Sequence, residues 1–246
     1  MTPGRGTTPS GAATEQEAAL YVREMFGRVA PRYDLANHLL TGNLDRYWRA
    51  FTLRRVIAVA QRPGAISMDL CCGTGDLLLA LQAATNERVV GADFSGPMLQ
   101  GARRKLRERG FEATLLEADA LQLPFPDASL DLVTCGFGFR NFTNYEAGAR
   151  EICRVLKPGG MLAILECSEP ENALINALYR FYARRVLPLL GGAVSGQPDA
   201  YRYLPDSIRK FPKPAELAQT LLNAGFAKVE YTRLTFGTVT LHLAAR

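Results

Sequence analysis

The sequence predicts an α/β fold: a Rossmann-like, doubly wound, seven-stranded sheet, mostly parallel with an antiparallel last strand, preceded by an N-terminal helical cap. Three observations predict it. From residue 66 onward short apolar runs alternate with segments of helical periodicity, the signature of βαβ units. The first of those runs leads into a glycine-rich loop that opens a helix. The last two runs are joined by a tight turn at Gly237, which reverses the chain.

Taken in order, Met1 to Thr14 holds no periodic apolar positions, so burial cannot offset the entropy of ordering it, and a disordered tail is expected over 1–14. Residues 15–246 then form a single domain. Glu15 to Val29 and Asp45 to Ala60 have helical apolar spacing and make a cap over 15–61 with no sheet of its own. Strands are expected at Ile66 to Cys71, Arg88 to Asp93, Thr114 to Ala118, Leu130 to Cys135 and Met161 to Glu166. Between them lie helices from Gly75 to Ala84, Ser95 to Arg107 and Tyr145 to Leu156, the last stopped by Lys157-Pro158-Gly159-Gly160. Residues 171–213 interrupt the alternation as an insertion that should form part of a substrate-facing or membrane-facing region. Pro214 to Ala224 then makes a helix closed by Gly225, followed by strands Val229 to Leu234 and Thr238 to Leu243.

At 246 residues, 48% hydrophobic and 22% charged, the chain has ordinary globular usage. It shows neither the apolar segment of a secretory signal nor a span of about 20 apolar residues, so a cytoplasmic location is expected. Five cysteines, an odd number with Cys71 and Cys72 adjacent, do not make a disulfide framework. His38 and His242 stand apart from any cysteine cluster, and no metal site is expected. The net charge of +5 is unevenly spread, with seven basic against three acidic side chains in 171–213. The basic run from Arg103 to Arg109 reads as a solvated helix face without aromatic interleaving, so nucleic acid is not an expected partner.

The strongest local signal is Asp69-Leu70-Cys71-Cys72-Gly73-Thr74-Gly75-Asp76. Its glycines allow close backbone approach, and the helix N-terminus behind them offers unpaired N–H groups. Asp93 follows eighteen residues after Gly75, at the end of the second strand, where a carboxylate can accept from both hydroxyls of an adenosine ribose. A dinucleotide would bring its pyrophosphate beside the Asp76 carboxylate, and Leu78 stands where the third glycine of G-x-G-x-x-G belongs. S-adenosylmethionine carries an ammonium and a sulfonium instead, for which Asp69 and Asp76 are attractive. Asp119 can accept from an adenine amino group while the Ala120 N–H meets a ring nitrogen; an ordinary turn-initiating Asp reads the same way.

The chain resembles class I S-adenosylmethionine-dependent methyltransferases, and more closely the ubiquinone/menaquinone biosynthesis C-methyltransferase family. The blocks that carry this run from about Phe26 to His242. They include Ala30-Pro31-Arg32-Tyr33-Asp34, Gly136-Phe137-Gly138-Phe139-Arg140-Asn141 and Tyr201-Arg202-Tyr203-Leu204-Pro205-Asp206-Ser207. Cys71 stands where the superfamily pattern D-x-G-x-G-x-G has its first glycine. The resemblance implies methyl transfer from S-adenosylmethionine to a ring carbon of a prenylated hydroquinone, with demethylmenaquinol foremost and a ubiquinone-pathway benzoquinol or another small molecule as alternatives. A cofactor-binding regulator without catalysis is the non-enzymatic reading, which an Arg140-Asn141 pair beside aromatic residues argues against.

On that reading Gly73, Thr74 and Gly75 cradle the cofactor and Gly136 meets it through backbone. Arg140 and Asn141, beyond the fourth strand, are the catalytic pair, Arg140 stabilising a phenolate because its charge is permanent. Tyr33, Phe137, Phe139, Tyr201 and Tyr203 wall the quinone ring, with ordinary core packing the competing role for each. From Asn172 to Leu190 an apolar series lies beside Arg180, Arg184 and Arg185, as in an interfacial helix for a peripheral membrane contact or a helix packed on the sheet. A homo-oligomer is compatible with the sequence, which does not fix the assembly state.

Overall fold

The computed structural model describes residues 6–9 and 11–246. Its strands are β1 Ile66–Leu70, β2 Arg88–Asp93, β3 Thr114–Glu117, β4 Leu130–Gly136, β5 Leu156–Cys167, β6 Lys228–Leu234 and β7 Val239–Ala245. They form one sheet in the order β3-β2-β1-β4-β5-β7-β6. β1 to β5 pair in parallel, while β7 is antiparallel to both β5 and β6. The turn at Gly237 therefore slots β7 back between β6 and β5.

Because both faces are covered, burial along the central strands is nearly continuous instead of alternating, and it takes in the polar Ser67, Asp69 and Thr134. On one face α3 Leu44–Ala60, α4 Asp76–Ala84 and α5 Gly96–Glu108 bury Val56, Leu78, Leu81 and Leu106 against Val89, Leu132 and Leu241. On the other, α6 Tyr145–Val155 and α10 Pro214–Asn223 bury Ile152, Leu217 and Leu221 against Met68, Leu70 and Val133.

Three departures from the sequence reading have local causes. The cap is three helices, α1 Glu15–Val29, α2 Tyr33–Thr41 and α3, not two. The second escapes notice because it has nine residues and its Leu35 and Leu39 face solvent, leaving only Ala36 and Leu40 to pack inward. β5 starts at Leu156, which pairs with Leu130, and pairing resumes at Met161 opposite Leu132. Lys157 to Gly160 is thus looped out of the strand instead of preceding it. That loop needs glycine: Gly159 has φ of 76°, and a Cβ on Gly160 would lie 2.8 Å from the Lys157 carbonyl.

The tail expected over 1–14 falls in part, at residues 1–5 and 10, outside the described residues. Residues 7–9 are docked, while 11–14 are largely exposed. Thr7 is buried, its N–H donates to the Phe142 carbonyl at 2.8 Å and its hydroxyl meets the Tyr203 hydroxyl at 2.7 Å. Lys210 Nζ donates to the Thr8 carbonyl at 2.7 Å. Hydrogen bonding to a preformed surface orders a segment that has little apolar area to bury.

The 171–213 insertion is helical: α7 Ala173–Phe181, a π-helical turn Tyr182–Val186, α8 Leu187–Ser195 and α9 Pro198–Lys210. None of the residues of α7 is fully buried, although Ile175, Asn176 and Tyr179 are partly so. No helix among the described residues is long and apolar enough to cross a membrane.

Candidate active site

β1, β2 and β4 end side by side, and the segments leaving them line a cleft at the carboxyl edge of the sheet. Ligand sites of open α/β sheets form at that edge. The loop after β1 turns with φ of 54° at Cys71, 55° at Gly73 and 88° at Gly75. Beyond β4, Phe137 holds a φ of 58°. Two non-glycine residues in the left-handed region thus flank one cleft, the kind of strain that gathers at functional sites.

Asp93 lies in the cleft wall, its Oδ2 accepting from the Gly73 N–H at 2.8 Å and its Oδ1 from the Ser95 N–H at 2.9 Å. Those bonds fix the carboxylate, and each oxygen keeps acceptor capacity toward the cleft. Burial raises its pKa to about 6 against the opposing pull of these N–H groups. Asp69 is buried beneath the loop; Oδ1 accepts from the Thr134 hydroxyl at 2.7 Å, whereas Oδ2 has no partner. Burial lifts it to about 7, with the Thr134 hydroxyl pulling the other way.

Asp119 and Ala120 line the cleft, and the Asp119 carboxylate also accepts from the Leu121 N–H at 2.9 Å, so turn-forming and cleft-lining roles coincide. Gly136 lines it with room to spare, since a Cβ there would meet only Leu77 at 3.5 Å. Tyr33, Phe137 and Asn141 complete the expected lining. Phe137 is held between the Trp48 ring, 6.0 Å away, and the Arg49 guanidinium, 5.6 Å from its centroid. Burial raises the Tyr33 hydroxyl pKa, while the charge of Arg140 and a hydrogen bond with Asn37 lower it.

A family model described as the ubiE/COQ5 methyltransferase family matches residues 12–246. The chain belongs to the ubiE/COQ5 methyltransferase family. It is 50% identical over 225 residues to a demethylmenaquinone methyltransferase of Thermus thermophilus, covering 90% of this chain and 100% of that one. It is 44% identical to a demethylmenaquinone methyltransferase of Deinococcus radiodurans over 91% of each chain. Identity to the ubiquinone/menaquinone biosynthesis C-methyltransferase UbiE of Shewanella frigidimarina is 40%, over 90% of this chain and 88% of the other. Among solved structures, an S-adenosylmethionine-dependent methyltransferase from Clostridium acetobutylicum superposes with a TM-score of 0.62 at 14% identity, covering 87% of this chain and 96% of its own. A methyltransferase from Aquifex aeolicus gives 0.54 at 20% identity, covering 74% and 81%. Such distant likenesses speak for the shared fold.

In this ubiE/COQ5 methyltransferase several expected site residues lie elsewhere. Phe139 is fully buried, stacked on Tyr145 and packed on Phe142 and Phe211, so it is core and not cleft. The left-handed Phe137 explains why: the chain turns there, leaving Phe137 against the α3–α4 face of the sheet and Phe139 against the α6 face. Tyr201 is buried beside Ala36 and Leu187 between α2 and the insertion, and packs so tightly on Gly191 that a Cβ there would lie 2.3 Å from its ring. Tyr203 stands behind the wall, its hydroxyl donating to Asn141 Oδ1 at 2.9 Å. Thr74 and Asp76 also turn from the main cleft. The Thr74 hydroxyl donates to Asp34 at 2.5 Å, and Asp76 pairs with Lys105 at 2.7 Å. Burial would raise Asp76, but Arg49 and Lys105 prevail and hold it below the usual carboxylate range.

The largest correction concerns Arg140. It is not a cation open to the cleft but 5% exposed, with Nη1 on Glu166 Oε1 at 2.9 Å, its own N–H on Glu166 Oε2 at 3.1 Å and a further bond to the Phe137 carbonyl. Burial would lower its pKa, yet the Glu166 carboxylate outweighs it and the guanidinium stays charged. Sequence reading missed Glu166, whose signal is a lone acid at the end of an otherwise apolar strand. It also missed Phe94, Met98 and Gly138, which line the cleft. A Cβ on Gly138 would lie 2.3 Å from the Cys71 Cβ, so Gly138→Ala should force the two loops apart and lower stability by about 1–3 kcal/mol. Thermal denaturation with and without S-adenosylhomocysteine checks this; an unshifted midpoint and unchanged ligand stabilisation would show the loops to be slack.

Proposed function

We propose that the chain transfers a methyl group from S-adenosylmethionine to a ring carbon of a prenylated hydroquinone, demethylmenaquinol in menaquinone biosynthesis. One observation carries the reading: a single cleft joins a fixed, buried ribose acceptor, Asp93, to an aromatic wall that includes Tyr33, Phe94 and Phe137. The names borne by relatives at 40–50% identity support the acceptor. The residues fit the cofactor, because Asp69 Oδ2 is a buried acceptor that lacks a partner and can take an ammonium, while Gly73 and Gly136 line the cleft with open space where a Cβ would stand; the expected Gly75 instead packs against Ala102 of α5.

When bound, S-adenosylmethionine supplies a methyl group on a sulfonium, activated for in-line transfer to carbon. The chain's own residues bind and orient. Asp93 holds the ribose hydroxyls, Asp119 and the Ala120 N–H hold adenine, and Asp69 holds the ammonium. Tyr33 and Phe137 flank the acceptor ring and exclude water, where positioning contributes most of the acceleration. Deprotonating a phenolic oxygen raises electron density at the ortho carbon, and the charge of Arg140, which already lowers the Tyr33 hydroxyl, favours that phenolate from behind the wall. Arg140 and Glu166 act as positioning residues for the turn that carries Asn141. Incubation with labelled cofactor and each demethylated quinol is the test. C-methylation of the naphthoquinol is expected; turnover of the benzoquinol alone would move the acceptor, and turnover of neither would remove the reading.

A lipid-tailed acceptor calls for contact with a membrane, which we propose is made at the cytoplasmic face. Leu39, Leu174, Leu178 and Leu189 expose 56–80% of their surface on α2, α7 and α8, beside the exposed Arg184 and Arg185. Apolar side chains next to cations suit an anionic bilayer surface. Flotation with anionic vesicles should succeed at low salt and weaken at high salt. A homodimer that covers this face and shows no flotation would overturn the membrane contact.

A further inference from the structure

The residues assigned to adenine, ribose and ammonium leave the cofactor's carboxylate without a partner. We infer that Arg49 binds that carboxylate, in a recess that takes the amino-acid end of the ligand; the inference rests on the S-adenosylmethionine reading above. The recess is small and open to solvent, and is lined by Tyr33, Arg49, Asp69, Gly73, Asp76 and Gly136 among others. It shares Tyr33, Cys71, Gly73 and Gly136 with the main cleft, so the two adjoin. A ligand whose adenosine lies on Asp93 can reach into it past the loop glycines.

The charges in the recess suit a zwitterion. Arg49 comes from α3 of the cap, its side chain 13% exposed, and one guanidinium nitrogen, Nη1, pairs with the buried Asp45 one turn earlier. The other, Nη2, stands 3.6 Å from Asp76 Oδ2, beyond a normal hydrogen bond. Lys105 Nζ is shared between Asp76 Oδ1 at 2.7 Å and Asp34 Oδ2 at 2.6 Å, and Arg49 helps Lys105 keep Asp76 ionised, so a ligand carboxylate on Nη2 would compete with Asp76 for it. The guanidinium lies 5.6 Å from the Phe137 ring centroid, and a planar fork is the preferred geometry for a carboxylate. Within the same recess the unpartnered Oδ2 of Asp69 awaits a donor. An α-amino acid therefore meets an acceptor at its ammonium and a fork at its carboxylate. His38, Asp45 and Asp76 place ligand atoms within 4.8 Å of one another, but Arg49 and Lys105 already supply the positive charge a metal would bring.

The experiment is calorimetric titration of the whole chain with S-adenosylhomocysteine and with its decarboxylated analogue, which keeps the ammonium and lacks only the carboxylate. The parent should bind S-adenosylhomocysteine about 10- to 100-fold more tightly than the analogue, the range for a charge-assisted hydrogen bond. Arg49→Ala should lose most of that preference while binding the analogue nearly as the parent does. Because Arg49→Ala removes a partner of buried Asp45, Arg49→Lys is run beside it; it keeps the charge and should retain only part of the preference. An equal loss for both ligands would mean that Arg49 acts through the packing of Asp45, and an undiminished preference would place the carboxylate elsewhere. Either overturns the inference. A parent that binds neither ligand would instead remove the S-adenosylmethionine reading on which it rests.

Discussion

Glu166→Ala should lower stability by about 3–5 kcal/mol, because it strands a buried cation. Arg140 is 5% exposed and Glu166 1% exposed, and no other carboxylate pairs with this guanidinium among the described residues. The substitution also orphans the Arg140 and Cys167 N–H groups, which donate to Glu166 at 3.1 and 2.8 Å. Glu166→Gln keeps acceptor shape without the charge and should fall between parent and alanine. Since the 3-10 turn Phe139–Asn141 is tied to β5 by these bonds, the rate of methyl transfer should fall along with stability. Arg140→Lys separates the two effects: it keeps the charge that favours a phenolate and the backbone N–H bond to Glu166 but loses the guanidinium that joins Glu166 to the Phe137 carbonyl, so it should recover part of kcat. Urea denaturation with steady-state kinetics is the measurement. A Glu166→Ala protein within 1 kcal/mol of parent at undiminished kcat would show the pair to be incidental.

The difference in legibility between Asp93 and Glu166 is physical. Asp93 and the loop at 69–76 belong to one βαβ unit, in which the spacing between a glycine turn and the end of the next strand is dictated by a single helix and strand length. Their chemistry is therefore local enough to read. Strand limits were legible for the same reason: β2 begins and ends where expected, because polar residues bound a fully apolar run. Glu166 acquires meaning only through pairing across the sheet, where Gly136 lies opposite Leu165 and brings Arg140 beside Glu166. The cap is harder still. Arg49 is one of several arginines on an amphipathic helix, and only the docking of α3 on the sheet brings it over Phe137. The alternation of Phe137 and Phe139 misleads because strand geometry ends at Gly136, and one left-handed residue then sends the two rings to opposite layers.

In the ligand-free protein, stability should rise as pH falls from 8 to 6, while affinity for S-adenosylhomocysteine should fall over the same range. Asp69 is raised from its ordinary 3.8 to about 7 and Asp93 to about 6, in each case chiefly by burial. The sign follows from proton counts. Between 3.8 and these values the folded state holds protons that the unfolded state has released, so unfolding becomes easier as pH rises through about 6 and then about 7. The stabilisation is complete below pH 3.8 and lost above pH 7; from pH 8 to 6 the two groups together regain about 1–2 kcal/mol. Binding runs the other way, because an ammonium at Asp69 Oδ2 needs the ionised carboxylate. Below about pH 7 the ligand must first expel a proton, and affinity should approach a tenfold loss per pH unit. Asp69→Asn should bind more weakly than parent at pH 8, with most of that pH dependence gone. Denaturation and titration calorimetry at pH 6, 7 and 8 on both proteins decide the matter, and pH slopes as steep in Asp69→Asn as in the parent would assign the proton, and the ammonium site, to another group.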